Sequence, residues 1–162
     1  MHLYLIRHGL ASWPNWTGHD AERPLTPQGA RLMEAAGAGL ARRLTAAAAP
    51  WPDLILHSPL LRAQQTAVIL ARWLNRQACQ RAQAALAPGF DERALPDLLA
   101  EHKPAQALAL IGHNPDMADL VSALAGQSVR FSEGTVAHLE LDSPARARLM
   151  WAASAEELAR PA

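Results

Sequence analysis

Cysteine is nearly absent from this sequence: Cys79 is the only one among 162 residues. That excludes an internal disulfide and a cysteine-built metal site, and it fits a reducing compartment. Net charge is missing too. The 15 Lys and Arg balance 15 Asp and Glu, so no global field draws the chain to nucleic acid or to an acidic membrane, and any anion site must be built locally. No apolar run approaches the ~20 residues of a membrane span. The short run near the N-terminus is broken by Arg7-His8 and is too brief for a signal peptide. No internal repeat is present. These absences point to a soluble, cytoplasmic protein. It is most simply a single domain over residues 1–162, long enough to fold without a disulfide or a metal.

The apolar run Leu3-Tyr4-Leu5-Ile6 stops at Arg7-His8-Gly9 and reads as a buried strand of a parallel sheet. Residues 10–25 carry Trp, Pro, Asn, Gly, His and Asp without period, a loop long enough to suggest a function. Thr26-Pro27 signals a helix start, and Leu32, Ala35, Ala36, Leu40 and Leu44 carry the helix to about Ala47. Asp53 to His57 reads as a second strand, and Ser58-Pro59 opens a helix to about Asn75. Farther on, Ala84 to Leu86 suggests a short strand, Pro88-Gly89 a turn, and Asp91 the start of a helix to about His102. A strand at Ala107–His113, a helix from Asn114-Pro115 to about Ala125, and strands at Thr135–Leu141 and Ala147–Trp151 follow. The tail from Ala152 to Ala162 reads as a fraying terminus.

Strands alternating with helices predict an α/β fold with a mostly parallel sheet. In such sheets ligands bind beyond the carboxyl ends of the strands. Arg7-His8 and His113 end two strands, and Arg62 lies in the first turn of a helix. If those strands are neighbours, two arginines, two histidines and helix N-termini face one point, which favours a bound anion. A metal site from His8, His57 and His113 is disfavoured because the arginines would repel a cation. His2, His19, His102 and His138 have no motif context, and the five tryptophans read as packing residues.

Arg7-His8-Gly9, Arg23-Pro24-Leu25-Thr26 with Gly29, Ser58-Pro59-Leu60-Leu61-Arg62-Ala63-Gln64-Gln65-Thr66 and Gly112-His113-Asn114-Pro115 occur in the order seen in the histidine phosphatase (phosphoglycerate-mutase-like) superfamily. Within it the chain looks most like the short SixA-type phosphohistidine phosphatases. The resemblance implies a three-layer α/β/α fold and a metal-independent phosphohydrolase needing no cofactor. It also implies that His8 is the nucleophile, that Arg7 and Arg62 clamp the phosphate, and that His113 is the second pocket histidine. An imidazole suits nucleophilic attack near pH 7, and a guanidinium holds phosphoryl oxygens with fixed, paired donors.

The sequence departs from the superfamily pattern between Leu86 and Arg93, where mutases and many broad phosphatases of the superfamily carry a proton-donating glutamate. Asp91 or Glu92 is a candidate donor there, and Asp91 is equally a helix N-cap. An imidazole leaving group needs a proton far less than an alkoxide does, so the departure points to phosphohistidine in a signalling or phosphotransfer protein. A small-molecule phosphomonoesterase, a mutase-like enzyme and a non-catalytic phosphate-binding module stay open as alternatives.

Overall fold

The computed structural model describes residues 1–162. Six strands form one sheet in the order β3-β2-β4-β1-β5-β6: β1 (His2–Arg7), β2 (Leu54–His57), β3 (Gln80–Ala82), β4 (Ala107–Gly112), β5 (Val136–Ser143) and β6 (Arg146–Ala153). β1, β2 and β3 run parallel to their neighbours through β4, whereas β5 and β6 are antiparallel additions at one edge. The helices are α1 (Pro27–Ala46), α2 (Leu61–Trp73), α3 (Leu95–Glu101), α4 (Asp116–Ala125) and α5 (Ala155–Ala159).

The two-residue period of the strands divides the core. Tyr4, Ile6, Ile55 and Ile111 point toward α1, α2 and α5, while Leu3, Leu5, Leu56 and Leu110 point toward α3 and α4. The result is the three-layer α/β/α arrangement of the phosphoglycerate-mutase-like fold. β1, β4 and β2 are consecutive in it, so the carboxyl ends of the strands carrying His8, His113 and Ser58 lie side by side.

Four local expectations are corrected. The third strand lies at Gln80–Ala82, and Ala84–Leu86 is a 3-10 turn whose Leu86 plugs the core. An edge strand with half-buried and exposed polar residues has no apolar signature to read. The C-terminal tail is ordered. Ser154 and Glu157 form a reciprocal capping box at the head of α5, and Ala155 and Leu158 are buried. α5 seats against α1 at Gly39, where an added Cβ would come within 1.7 Å of the Leu158 carbonyl oxygen.

Of the three helix starts expected at Thr26-Pro27, Ser58-Pro59 and Asn114-Pro115, only the first lies where expected, with Thr26 Oγ1 capping it by accepting the Gly29 N–H at 2.9 Å. α2 and α4 start at Leu61 and Asp116, past the Ser58-Pro59 and Asn114-Pro115 pairs, and the Asn114-Pro115 bond is cis. Finally, Trp13, Trp16 and Trp73 are exposed rather than packed.

Candidate active site

β1 ends where its backbone is held on both sides. The Arg7 N–H donates to the Thr135 carbonyl at 3.0 Å and the His8 N–H to the Gly112 carbonyl at 3.1 Å. Thr66, on α2, then ties the strand end to the helix: its Oγ1 accepts the Gly9 N–H at 3.0 Å and donates to the Arg62 carbonyl at 2.7 Å. This fully buried hydroxyl sets the register between His8 and Arg62.

Arg7, His8, Arg62 and His113 line one cavity of about 410 Å³, together with Ser12, Asp20, Arg23, Asn114 and Glu133. His8 Nδ1 lies 2.7 Å from the Gly9 carbonyl oxygen, which only accepts, so Nδ1 carries the proton. Arg62 Nε, which only donates, approaches His8 Nε2 at 3.3 Å. Both contacts require the same neutral tautomer, with the lone pair on Nε2. Burial pushes the His8 pKa down to about 3, with His113, Arg62 and Arg7 adding to the fall and the Gly9 carbonyl opposing it.

The His113 ring centroid is 5.2 Å from that of His8. Its Nε2 lies 2.7 Å from the Oγ of buried Ser58, which also accepts the Leu60 N–H at 3.2 Å. Burial first, then the Arg62 charge, lowers the His113 pKa to about 4 against the pull of Asp116 and Asp20. His113 is therefore neutral at pH 7, a point the sequence left open.

The arginines are held by the protein's own acceptors. Arg7 donates through Nη1 to the Phe131 carbonyl at 2.9 Å and through Nη2 to Glu133 Oε1 at 3.1 Å, and its Nε is buried without a partner. Arg62, 5% exposed, donates to the Asp20 carbonyl at 2.9 Å and to Asp20 Oδ2 at 3.1 Å. Asp20 Oδ1 also pairs with Arg23 Nη2 at 2.9 Å. The Arg23 and Arg62 donors hold the Asp20 carboxyl below the ordinary carboxylate range.

Asp91 and Glu92 are not among the residues lining this cavity; from their stretch of chain only Pro88 reaches it. Asp91 instead accepts the Arg93 N–H at 2.8 Å and pairs with the Arg93 guanidinium at 2.9 Å. That pairing holds Asp91 ionised, and Glu92 lines a different hollow with Pro96 and Leu124. The carboxylates in the cavity are Asp20 and Glu133. Loop length flagged the neighbourhood of Asp20 but not the residue, and nothing in the sequence pointed to Glu133. Nor does the N-terminus of α1 face the cavity: Thr26 and Pro27 line an apolar groove beside it. His57 donates its Nδ1–H to the Ser58 carbonyl at 2.8 Å, and no group of three His, Cys, Asp or Glu side chains is arranged to hold a metal ion.

The sequence profile of the histidine phosphatase superfamily (branch 1) matches residues 3–119, a span that contains all four of the convergent side chains. The chain belongs to the histidine phosphatase superfamily, branch 1. Its reaction class is therefore phosphoryl hydrolysis and its substrate a phosphorylated compound. An uncharacterized protein of Picosynechococcus sp. is 38% identical to this histidine phosphatase over 127 residues, 77% of this chain and 73% of that one.

The solved structure of the protein histidine phosphatase SixA complexed with tungstate superimposes with a TM-score of 0.82 at 25% identity, covering 98% of this chain and 99% of that one. The α-ribazole phosphatase from Shigella flexneri superimposes with a TM-score of 0.71 at 19% identity, covering 96% and 97%. At that identity the likeness concerns the scaffold alone, and a scaffold does not fix a substrate. No helix of this histidine phosphatase is long and apolar enough to cross a membrane.

Proposed function

We propose that this histidine phosphatase removes the phosphoryl group from phosphohistidine in a signalling or phosphotransfer protein, through a phosphohistidine intermediate on His8. The His8 Nε2 lone pair attacks phosphorus in line, and the bond from phosphorus to the substrate's ring nitrogen breaks with its electrons going to that nitrogen. Water then attacks the phosphorus held on His8, the bond to Nε2 breaks with its electrons returning to that nitrogen, and inorganic phosphate leaves carrying the water's proton. The guanidinium groups of Arg7 and Arg62 neutralise the equatorial oxygens while charge moves along the reaction axis. His113 adds a further contact on the same side. Nothing in this sequence of steps calls on a metal or a cofactor.

The observation that carries the substrate assignment is the state of the acidic groups. Both carboxylates in the cavity are ion-paired, Asp20 with Arg23 and Arg62 and Glu133 with Arg7, so neither is poised to protonate an alkoxide. A phosphoramidate bond to imidazole breaks without such a donor when the ring's second nitrogen carries a proton, because the ring then leaves neutral. The structural likeness to SixA supports the same reading.

The test is a substrate panel on wild type, His8→Ala and Arg62→Ala, comparing a phosphohistidine protein with sugar phosphates. Wild type should prefer phosphohistidine, His8→Ala should lose turnover, and Arg62→Ala should lose about 10²–10³-fold in kcat. Faster hydrolysis of sugar phosphates by wild type would support the phosphomonoesterase reading instead.

A further inference from the structure

The proposed reaction needs a proton kept in place on the substrate. The departing ring is neutral only if its second nitrogen holds its hydrogen until the bond to phosphorus breaks. Arg7, Arg23 and Arg62 all line the cavity, and nearby guanidinium charge disfavours a protonated imidazole. A carboxylate beside the ring offsets that charge by accepting the ring's N–H.

Two carboxylates line the cavity, Asp20 and Glu133. Asp20 opens the short 3-10 turn Asp20–Glu22 in the loop after β1. Arg62 links it to the nucleophile, reaching His8 Nε2 with Nε at 3.3 Å and the Asp20 carbonyl and Oδ2 with its terminal nitrogens at 2.9 and 3.1 Å. Asp20 is also close enough to His113 to pull its pKa upward against the Arg62 charge. Glu133 sits on Arg7 instead. His8 and Arg62 are 8% and 5% exposed, so a phosphoryl group seated on them lies at the buried end of the cavity. A ring leaving in line from His8 Nε2 then points outward, toward the side chain of Asp20, which is 64% exposed.

Asp20 has acceptor capacity to spare. Its Oδ1 takes Arg23 Nη2 at 2.9 Å and Nε at 3.3 Å, whereas Oδ2 takes Arg62 Nη2 alone. A carboxylate oxygen offers two lone pairs, so Oδ2 keeps one free. The Arg23 and Arg62 donors hold the carboxyl ionised, so it accepts a hydrogen bond and gives no proton.

We infer that Asp20 is a catalytic residue of this reaction, accepting the N–H of the substrate's phosphorylated ring and keeping that ring cationic until it leaves. The inference rests on the phosphohistidine reading above. No proton moves. The bond to phosphorus breaks with its electrons going to the ring nitrogen, which cancels the ring's positive charge, and the N–H stays on the other nitrogen. An alkoxide or phenoxide has no N–H to offer and develops negative charge beside the carboxylate, so Asp20 favours a leaving group that is cationic before the bond breaks. The charged and titratable groups around it are Arg23 from its own loop, Arg62 from α2 and His113 from the end of β4, with Arg7, His8 and Glu133 elsewhere in the lining.

The experiment compares a phosphohistidine peptide with p-nitrophenyl phosphate, whose leaving group carries no N–H, on wild type and Asp20→Asn. Asparagine keeps an oxygen for Arg62 but removes the charge. At about pH 8, Asp20→Asn should lose at least about tenfold more kcat/KM on phosphohistidine than on p-nitrophenyl phosphate. Rapid quench at saturating phosphohistidine reads phosphoenzyme formation in the bound complex. The alkaline limb of that rate should move down by about one pH unit in the variant.

A loss no greater on phosphohistidine than on p-nitrophenyl phosphate overturns the inference and leaves Asp20 as a support for Arg62. An alkaline limb that stays in place overturns it as well. The phosphohistidine reading fails separately, in the wild-type arm alone, if phosphomonoesters are turned over and the phosphohistidine peptide is not, and the role of Asp20 falls with it.

Discussion

Titration of His8 offers the most direct check on the site. A fall of its pKa from 6.5 to about 3 corresponds to about 5 kcal/mol against charging the ring in place. Taking the pH from 7.5 to 5.5 would leave an ordinary histidine only about one-tenth neutral, whereas His8 would stay more than about 99% neutral. On the proposed mechanism, the contribution of His8 to the rate of phosphoenzyme formation should therefore be flat across that range, where an unperturbed ring would cost about tenfold. The assay is a pH series of long-range proton–nitrogen correlation spectra on histidine-labelled protein, with His8→Ala to assign the signal. The proton should sit on Nδ1 throughout, as the Gly9 carbonyl contact at 2.7 Å requires. A midpoint above about pH 5, or a proton on Nε2, would refute both the tautomer and the burial argument behind it.

The same burial makes stability depend on pH. His8, His113 and His138 have folded-state values of about 3, 4 and 4, below the unfolded value, so the stability they confer is full above about pH 6.5 and is lost as pH falls toward 4. Urea melts should show about 3–6 kcal/mol less stability at pH 5 than at pH 7.5, and His138→Gln, outside the cavity, should shallow that slope. Ser58→Ala removes the 2.7 Å contact that orients His113. It should cost about tenfold in kcat/KM, with KM nearly unchanged, and an unaltered kcat would remove Ser58 from the positioning of that ring. Thr66→Val leaves the buried Gly9 N–H without its acceptor, which should destabilise by about 1–3 kcal/mol in urea unfolding and lower kcat. Gly39→Ala forces α5 off α1, since its Cβ would sit 1.7 Å from the Leu158 carbonyl oxygen. A loss of about 1–3 kcal/mol on thermal or urea unfolding is expected.

Much of the architecture is written in local patterns. Continuous apolar runs at Leu3–Ile6 and Ala107–Ile111 announce central parallel strands because both of their faces are covered. The helical spacing through Leu32, Ala36, Leu40 and Leu44 announces α1, and Thr26-Pro27 its start. What escaped lacked a local signal. β3 is polar because it lies at an edge of the sheet, and α5 is only 5 residues long, too short to show a period.

For the site, the residue types at the strand ends and helix start, Arg7, His8, Arg62 and His113, were legible before folding, because motif and spacing are properties of the chain alone. The folded arrangement was needed to show that they share one cavity, that Asp20 and Glu133 rather than Asp91 and Glu92 are its carboxylates, and that both histidines are neutral. Those outcomes depend on strand order, on burial and on which charges meet across more than 100 residues of chain, as Arg7 and Glu133 do. Desolvation and long-range pairing arise only once the chain has folded around them.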